Sequence, residues 1–188
     1  MNSHFFSSPP AGSVVKYVQL DDGRRVSIRQ IVATDQDGLR SFFAALSPVT
    51  RRLRFLCPIK EVPEELLHKL TEVDQRNHVA FIAEAESVSD QPPTVVAEAR
   101  YARSASSNCA ELALVVSDHW RHVGLGTSIA RGVLHHAALA GVRRLCGEAL
   151  AENQAIRRFM LSFGARESRG TEPQNVEFCA IQIGRAHV

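Results

Sequence analysis

Clustered metal ligands and paired cysteines are what this 188-residue sequence lacks first. Its four cysteines, Cys57, Cys109, Cys146 and Cys179, stand far apart with no C-x-x-C pair. Zinc and disulfides are therefore both poorly supported, and free cytosolic thiols are the expectation. There is no H-E-x-x-H motif, and the adjacent His135 and His136 point in different directions on a helix, so no metal is expected. No apolar run approaches the ~20 residues that cross a membrane. The first residues lack the basic start and apolar stretch of a secretory signal, so the expected location is cytoplasmic. Charge of one sign is lacking too: 22 basic residues face 20 acidic ones, for a net charge of +2. That balance gives no bulk attraction to nucleic acid, and neither nucleic acid nor a membrane is an expected partner. What remains is an ordinary globular mixture, 45% apolar and 22% charged. The length suits one domain that buries about 70% of its unfolded surface.

Local patterns then divide the chain. Residues 1–13 mix Ser, Pro, Gly and Asn and are expected to form a flexible tail. A hairpin follows, Val14 to Leu20 and Arg24 to Ile31 around the Asp22-Gly23 turn. Two helices are expected next, the first capped by Thr34 or Asp35 and the second opened by Pro63. His78 to Ala85, Val95 to Tyr101 and the segment carrying Glu111 read as an antiparallel meander. The polar links Ser-Asp-Gln-Pro-Pro and Ser104 to Asn108 join these three strands. Leu125, Ile129, Val133, Leu134 and Ala137 recur at helical spacing up to Gly141. Leu145 to Leu150 should return parallel to the Glu111 strand. A helix over Gln154 to Phe163 and a strand around Val176 to Ile183 complete the pattern. The hexapeptide 183–188, Ile-Gly-Arg-Ala-His-Val, matches one reading frame of a common sequencing adapter. It is expected to be non-native, leaving 14–182 as the domain.

Between the Glu111 strand and the following helix lies Arg121-His122-Val123-Gly124-Leu125-Gly126. A glycine turn at a helix N-terminus presents unpaired amides where the helix dipole favours an anion. Gly124 and Gly126 carry no side chain to hold a pyrophosphate away. A dinucleotide fingerprint needs a third glycine, but Ile129 stands there; a triphosphate loop needs a lysine that neither glycine precedes.

The segment resembles R/Q-x-x-G-x-G/A, the acyl-coenzyme A loop of the GNAT superfamily of N-acetyltransferases. Downstream, Asn153-Gln154-Ala155 and the helix to Phe163-Gly164-Ala165 resemble that superfamily's second signature. Upstream, Ile28-Arg29-Gln30-Ile31 with Asp35 is similar to its opening strand. Phe42-Phe43, Arg54-Phe55, Leu70 to Asp74 and Ala110 to Asp118 are similar to the catalytic domain of bacterial Pat-type protein lysine acetyltransferases. The resemblance implies an α/β (α+β) GNAT fold: a mixed, mostly antiparallel sheet with a central splayed parallel strand pair, flanked by helices. It implies acetyl-CoA as acyl donor and a protein lysine as acceptor. A small amine or antibiotic acceptor, or a non-catalytic acyl-CoA-binding module, are the alternatives.

It also implies roles for residues. Leu114, Val115 and Val116 would offer backbone groups to the pantetheine arm, although plain sheet core explains their apolar character equally well. Arg121, His122, Val123, Gly124, Leu125, Gly126 and Thr127 would hold the pyrophosphate, and Asn153 would reach the cofactor unless it only caps a helix. Glu111 would be the general base, ahead of Glu98 and Glu148 on neighbouring strands. A lysine ammonium with pKa near 10.4 is neutral in only about one molecule in 2,500 at pH 7, so a base is needed. Many GNAT enzymes carry a tyrosine in the last helix to protonate the leaving thiolate; Phe159-Met160 stands in that region and cannot donate.

Overall fold

A computed structural model describes residues 14–86, 93–103 and 109–182. Both expected tails, 1–13 and 183–188, and the links at 87–92 and 104–108 lie outside the described residues. Among the described residues eight strands form one sheet: β1 (Val14–Gln19), β2 (Arg25–Gln30), β3 (His78–Ala85), β4 (Thr94–Arg103), β5 (Ala110–Val116), β6 (Arg144–Leu150), β7 (Arg166–Arg169) and β8 (Asn175–Gln182). Their spatial order is β1-β2-β3-β4-β5-β6-β8-β7, antiparallel throughout except for the β5–β6 pair. The hairpin, the meander and the parallel return are as the sequence led us to expect. β7 was not anticipated, because Arg166-Glu167-Ser168-Arg169 has no apolar alternation; it is an edge strand held by its ladder to β8.

Helices cover both faces. α4 (Leu125–Leu139) buries Leu125, Ile129, Val133, Leu134 and Ala137, the stripe its spacing announced. With Met160 of α5 (Gln154–Ser162), these residues pack against Val79, Phe81, Ala97, Ala99 and Tyr101. On the opposite face, Leu39, Phe42 and Phe43 of α1 (Gln36–Ala45) and Leu67 and Leu70 of α3 (Glu64–Thr71) meet Ala80, Ile82, Val95 and Val115. β3 and β4 carry long buried runs because both their faces are covered.

The expectation of two helices between β2 and β3 is corrected to three. Leu46-Ser47-Pro48 ends α1 and starts α2 (Pro48–Phe55), with the Ser47 hydroxyl accepting the Thr50 amide at 3.2 Å and Pro48 in the first turn. Leu56 ends α2 in a left-handed conformation, φ 60°. As expected, Asp35 is the N-cap of α1; its carboxylate binds the Val32 amide at 2.7 Å and both outer nitrogens of Arg29.

The expectation of free thiols is corrected as well. Cys109 and Cys146 form a disulfide, with Cα atoms 5.9 Å apart, while Cys57 is free and exposed. They are 37 residues apart in sequence, so spacing alone could not pair them. The parallel register does, because Cys146 is the ladder partner of Glu111, two residues beyond Cys109.

Candidate active site

β5 and β6 share a ladder for two pairs only, Ala110 with Leu145 and Glu111 with Cys146. Beyond them the strands run on to Val116 and Leu150 without further pairing, and a cleft of about 390 Å³ opens between them. That volume falls in the range of small-molecule sites. β5 lines it from Glu111 to Val116, and β6 from Gly147 to Ala149. Near the closed end the strands remain close: a Cβ on Gly147 would stand 3.0 Å from the Leu112 carbonyl oxygen. The glycine there allows the approach.

Which side each group faces follows from the two-residue alternation of a strand. Val115 packs with the α1–α3 layer, and its ladder partner is Glu98. Glu111 and Ala113 therefore share that side with Glu98 and Arg100, as do Cys146 and Glu148 on β6. Leu112, Leu114 and Val116 face the α4 layer. Glu111 is exposed and lies in the cleft. Glu148 also lines the cleft, with Oε1 accepting Thr171 Oγ1 at 3.2 Å and Asn175 Nδ2 at 3.0 Å. Glu98 is fully buried and lies outside the cleft lining, in an ion cluster with Arg54 and Arg100. Burial alone would raise its pKa, yet Arg100 and Arg54 hold the carboxyl below its ordinary value.

At the open end the loop residues divide. Arg121, His122 and Gly126 line the cleft, whereas Val123, Gly124, Leu125 and Thr127 do not. The Leu125 side chain is wholly buried in the core, and the Val123 carbonyl accepts the Asp21 amide of the β1–β2 turn at 3.2 Å. Gly124 caps α4 at φ 82°, and a Cβ on it would stand 3.2 Å from a carboxylate oxygen of Asp21. For Gly124, the crowding expected against phosphate is thus found against Asp21. A Cβ on Gly126 would make ordinary contact with Val116, 3.6 Å away. Arg121 is already engaged: Nη2 donates to the Thr50 hydroxyl at 2.7 Å and lies 3.3 Å from Asp118. Thr50 in turn donates to Asp118 at 2.6 Å. Burial opposes the charge on Asp118, but the Ser47 amide, the Thr50 hydroxyl and Arg121 keep its carboxyl below the ordinary value. This bracket ties the loop to α2, whose Thr50, Leu53 and Arg54 wall the cleft. The α2 wall is the part of the site that sequence reasoning missed; its available signal was the Ser47-Pro48 helix start.

From the far side, Ala155, Ile156, Phe159 and Met160 of α5 close the cleft. Asn153 lines it and caps α5, its Oδ1 accepting the Ile156 amide at 3.2 Å. The capping reading therefore holds, and the cap leaves the Asn153 amide nitrogen in a cleft-lining side chain. The two histidines separate as anticipated: His135 is exposed, while His136 meets the Tyr101 hydroxyl at 3.0 Å and Gln30 at 3.3 Å.

Comparison with known proteins follows the same architecture. Residues 25–166 match the acetyltransferase (GNAT) domain model. The chain is 33% identical over 145 residues to acetyltransferase PA5475 of Pseudomonas aeruginosa, covering 77% of each. It is 26% identical over 164 residues to acetyltransferase Pat of Mycolicibacterium smegmatis, covering 85% of this chain but 48% of that protein. The crystal structure of the GNAT domain of S. lividans PAT superposes with a TM-score of 0.78 at 24% identity, over 88% of this chain and 95% of that one. A sheet opened at the one parallel pair among the described residues, the domain match and these relatives together place the chain in the GNAT acetyltransferase family, as an N-acetyltransferase.

Proposed function

We propose that the protein moves the acetyl group of acetyl-CoA to a primary amine, the side chain of a protein lysine, by direct attack with Glu111 as general base. The observation that carries this reading is the position of Glu111 at the closed end of the β5–β6 cleft, with the glycine loop at the open end. The pyrophosphate is held by the amides of the glycine loop and the first turn of α4, from Val123 to Thr127, with His122 and Gly126 at the rim. Arg121, engaged by Thr50 and Asp118, adds positive charge and fixes the loop against α2. The pantetheine arm lies along Leu114, Val115 and Val116, whose backbone groups have no β6 partner. Asn153 reaches it from the start of α5. Glu111 lies about 16 Å along the strand from Val116, which puts the thioester near the carboxylate.

In this reading, an amine enters from the α2 side, where Glu111 faces. Glu111 takes the ammonium proton, the free nitrogen attacks the thioester carbonyl, and the carbon–sulfur bond breaks with the electron pair leaving on sulfur, while the nitrogen sheds its remaining extra proton to water as it becomes the amide. Neither Phe159 nor Met160 can protonate that sulfur, so it departs as thiolate or takes a proton from water. No step calls for a metal ion. A cytoplasmic chain is part of the proposal.

The test follows free thiol release from acetyl-CoA with a lysine protein, with a panel of small amines, and with no acceptor. Release that depends on the lysine protein, with acetyl-lysine found by mass spectrometry, is the expected result. Release only with small amines would transfer the reading to a small-molecule acceptor, and no release with any acceptor would leave a binding module.

A further inference from the structure

Charge does not balance beneath the α2 wall. Arg54 and Arg100, 11% and 6% exposed in their side chains, share one fully buried carboxylate, Glu98. Arg54 donates through Nε and Nη2 to Glu98 Oε2 at 3.3 and 3.1 Å, and Arg100 binds the other oxygen. Arg100 completes its contacts with the Leu70 carbonyl at 3.0 Å and His78 Nε2 at 3.2 Å. Burial, and then the Arg100 charge, push His78 below its ordinary pKa, so the imidazole adds no charge at neutral pH and cancels none. Two guanidiniums against one carboxylate leave one buried positive charge in excess. Such an excess is costly unless a counter-charge can reach it.

The cluster meets the cleft at one residue, Arg54. Around it, the charged groups lining the cleft are Glu111 on β5, Glu148 on β6 and Arg121 at the loop. Arg121 is paired with Asp118 and does not add to the imbalance. Neither Glu111 nor Glu148 forms an ion pair with Arg54. The α2 side of the cleft thus presents a cation on the helix wall and two carboxylates on the sheet.

We infer that Arg54 selects the acceptor, and that the acceptor carries its primary amine beside a carboxylate. The inference rests on the proposed function and names its substrate class. The amine goes to Glu111, and the neighbouring carboxylate goes to Arg54, which lines the cleft and whose Nη1 makes no hydrogen bond to Glu98. Two sources share this chemistry: a peptide lysine next to Asp or Glu, and a free amino acid with its own α-carboxylate. Arg54 is a specificity-determining residue here, and its removal leaves Glu98 and Arg100 as a balanced one-to-one pair. The substitution therefore does not strand a buried charge.

The experiment measures binding and transfer separately. Binding of blocked Lys-Glu and Lys-Gln dipeptides, and of free lysine against its amide, is measured by calorimetry with coenzyme A present. Acetyl transfer to the same four compounds is followed by thiol release. The wild type should prefer the carboxylate member of at least one pair by about ten- to a hundred-fold, the strength of a charge-assisted hydrogen bond. The pair that shows the preference identifies the source. Arg54→Gln should bring that ratio close to one, and Arg54→Lys should restore part of it, with thermal midpoints recorded to show that each variant is folded. A purely structural Arg54 would lower all four compounds alike and leave the ratio unchanged. Equal binding of acid and amide in the wild type overturns the inference, whether or not transfer occurs. Absence of transfer with the binding preference intact would overturn the proposed function and spare the carboxylate site.

Discussion

The Cys109–Cys146 bond can be removed without touching a residue that lines the cleft. It closes a segment of 37 residues, which contains β5, the glycine loop and α4. In the chain-entropy account, cross-linking a segment of that length removes about 13 cal/mol/K from the unfolded state, or about 4 kcal/mol at 25 °C. For a domain of this size that is worth roughly 10 °C in the thermal midpoint. The bond also sits at the vertex of the fork, since Cys146 is the ladder partner of Glu111 and only one further pair joins β5 to β6. The assay compares urea and thermal unfolding of the wild type with and without a dithiol reductant, and of the Cys109→Ser/Cys146→Ser double variant. Reduction should lower the wild-type midpoint to that of the double variant and leave the variant unmoved. Peptide mapping under non-reducing conditions should recover the two cysteines in one cross-linked fragment. Identical midpoints for oxidised, reduced and double-variant protein would refute the reasoning. So would finding both thiols alkylated in the native protein.

Other outcomes follow from the cleft and the ion cluster. Glu111→Gln should cut turnover by about 10²–10⁴-fold with little change in acetyl-CoA affinity, and raising the pH should recover part of the loss because more acceptor amine is then neutral. Equal pH–rate profiles for the two proteins would make Glu111 a bystander. Gly126→Glu should weaken acetyl-CoA binding by bulk and charge; the fold should tolerate it, since its Cβ meets only Val116 in ordinary contact at 3.6 Å. Unchanged affinity by calorimetry would move the pyrophosphate elsewhere. Glu98→Gln should destabilise by about 3–5 kcal/mol at neutral pH, because Arg54 and Arg100 lose their shared counter-charge. Glu98 has a folded pKa below its unfolded value near 4.3, so its contribution is present above that value and lost as pH falls through the folded one. The wild type should therefore lose stability more steeply than the variant in acid, as read from urea midpoints between about pH 5 and pH 2.

What could be read from the sequence was whatever depends on short spacing. The α4 stripe from Leu125 to Ala137, the Asp22-Gly23 turn and the alternation of Val26 and Ile28 are each set by residues within a few positions of one another. The glycine loop and the parallel return were legible because a strand, a turn and a helix follow in order. Contacts made across the sheet could not be read this way. Nothing near Cys109 announces Cys146, and nothing near Arg54 announces Glu98, 44 residues away on β4. α2 was missed for a related reason. Its eight residues include three arginines and little apolar periodicity, and its place is fixed by Thr50 bonding to Asp118 and Arg121 in the loop.

Glu98 shows how the same limit distorts a functional reading. On the sequence it is a second carboxylate on a strand beside Glu111, a reasonable reserve for the role of base. In the structure it is buried, carries hydrogen bonds from two arginines, and is kept ionised by them. A base must be able to meet its substrate and take up a proton near the working pH, and the cluster denies Glu98 both. Glu111 is separated from it by two strand repeats on the same face, yet it is exposed and belongs to the cleft. Glu148 is in the cleft too, but Thr171 and Asn175 hold one of its oxygens. If Glu111→Gln keeps full turnover, Glu148 or a water chain becomes the place to look, and Glu98 does not.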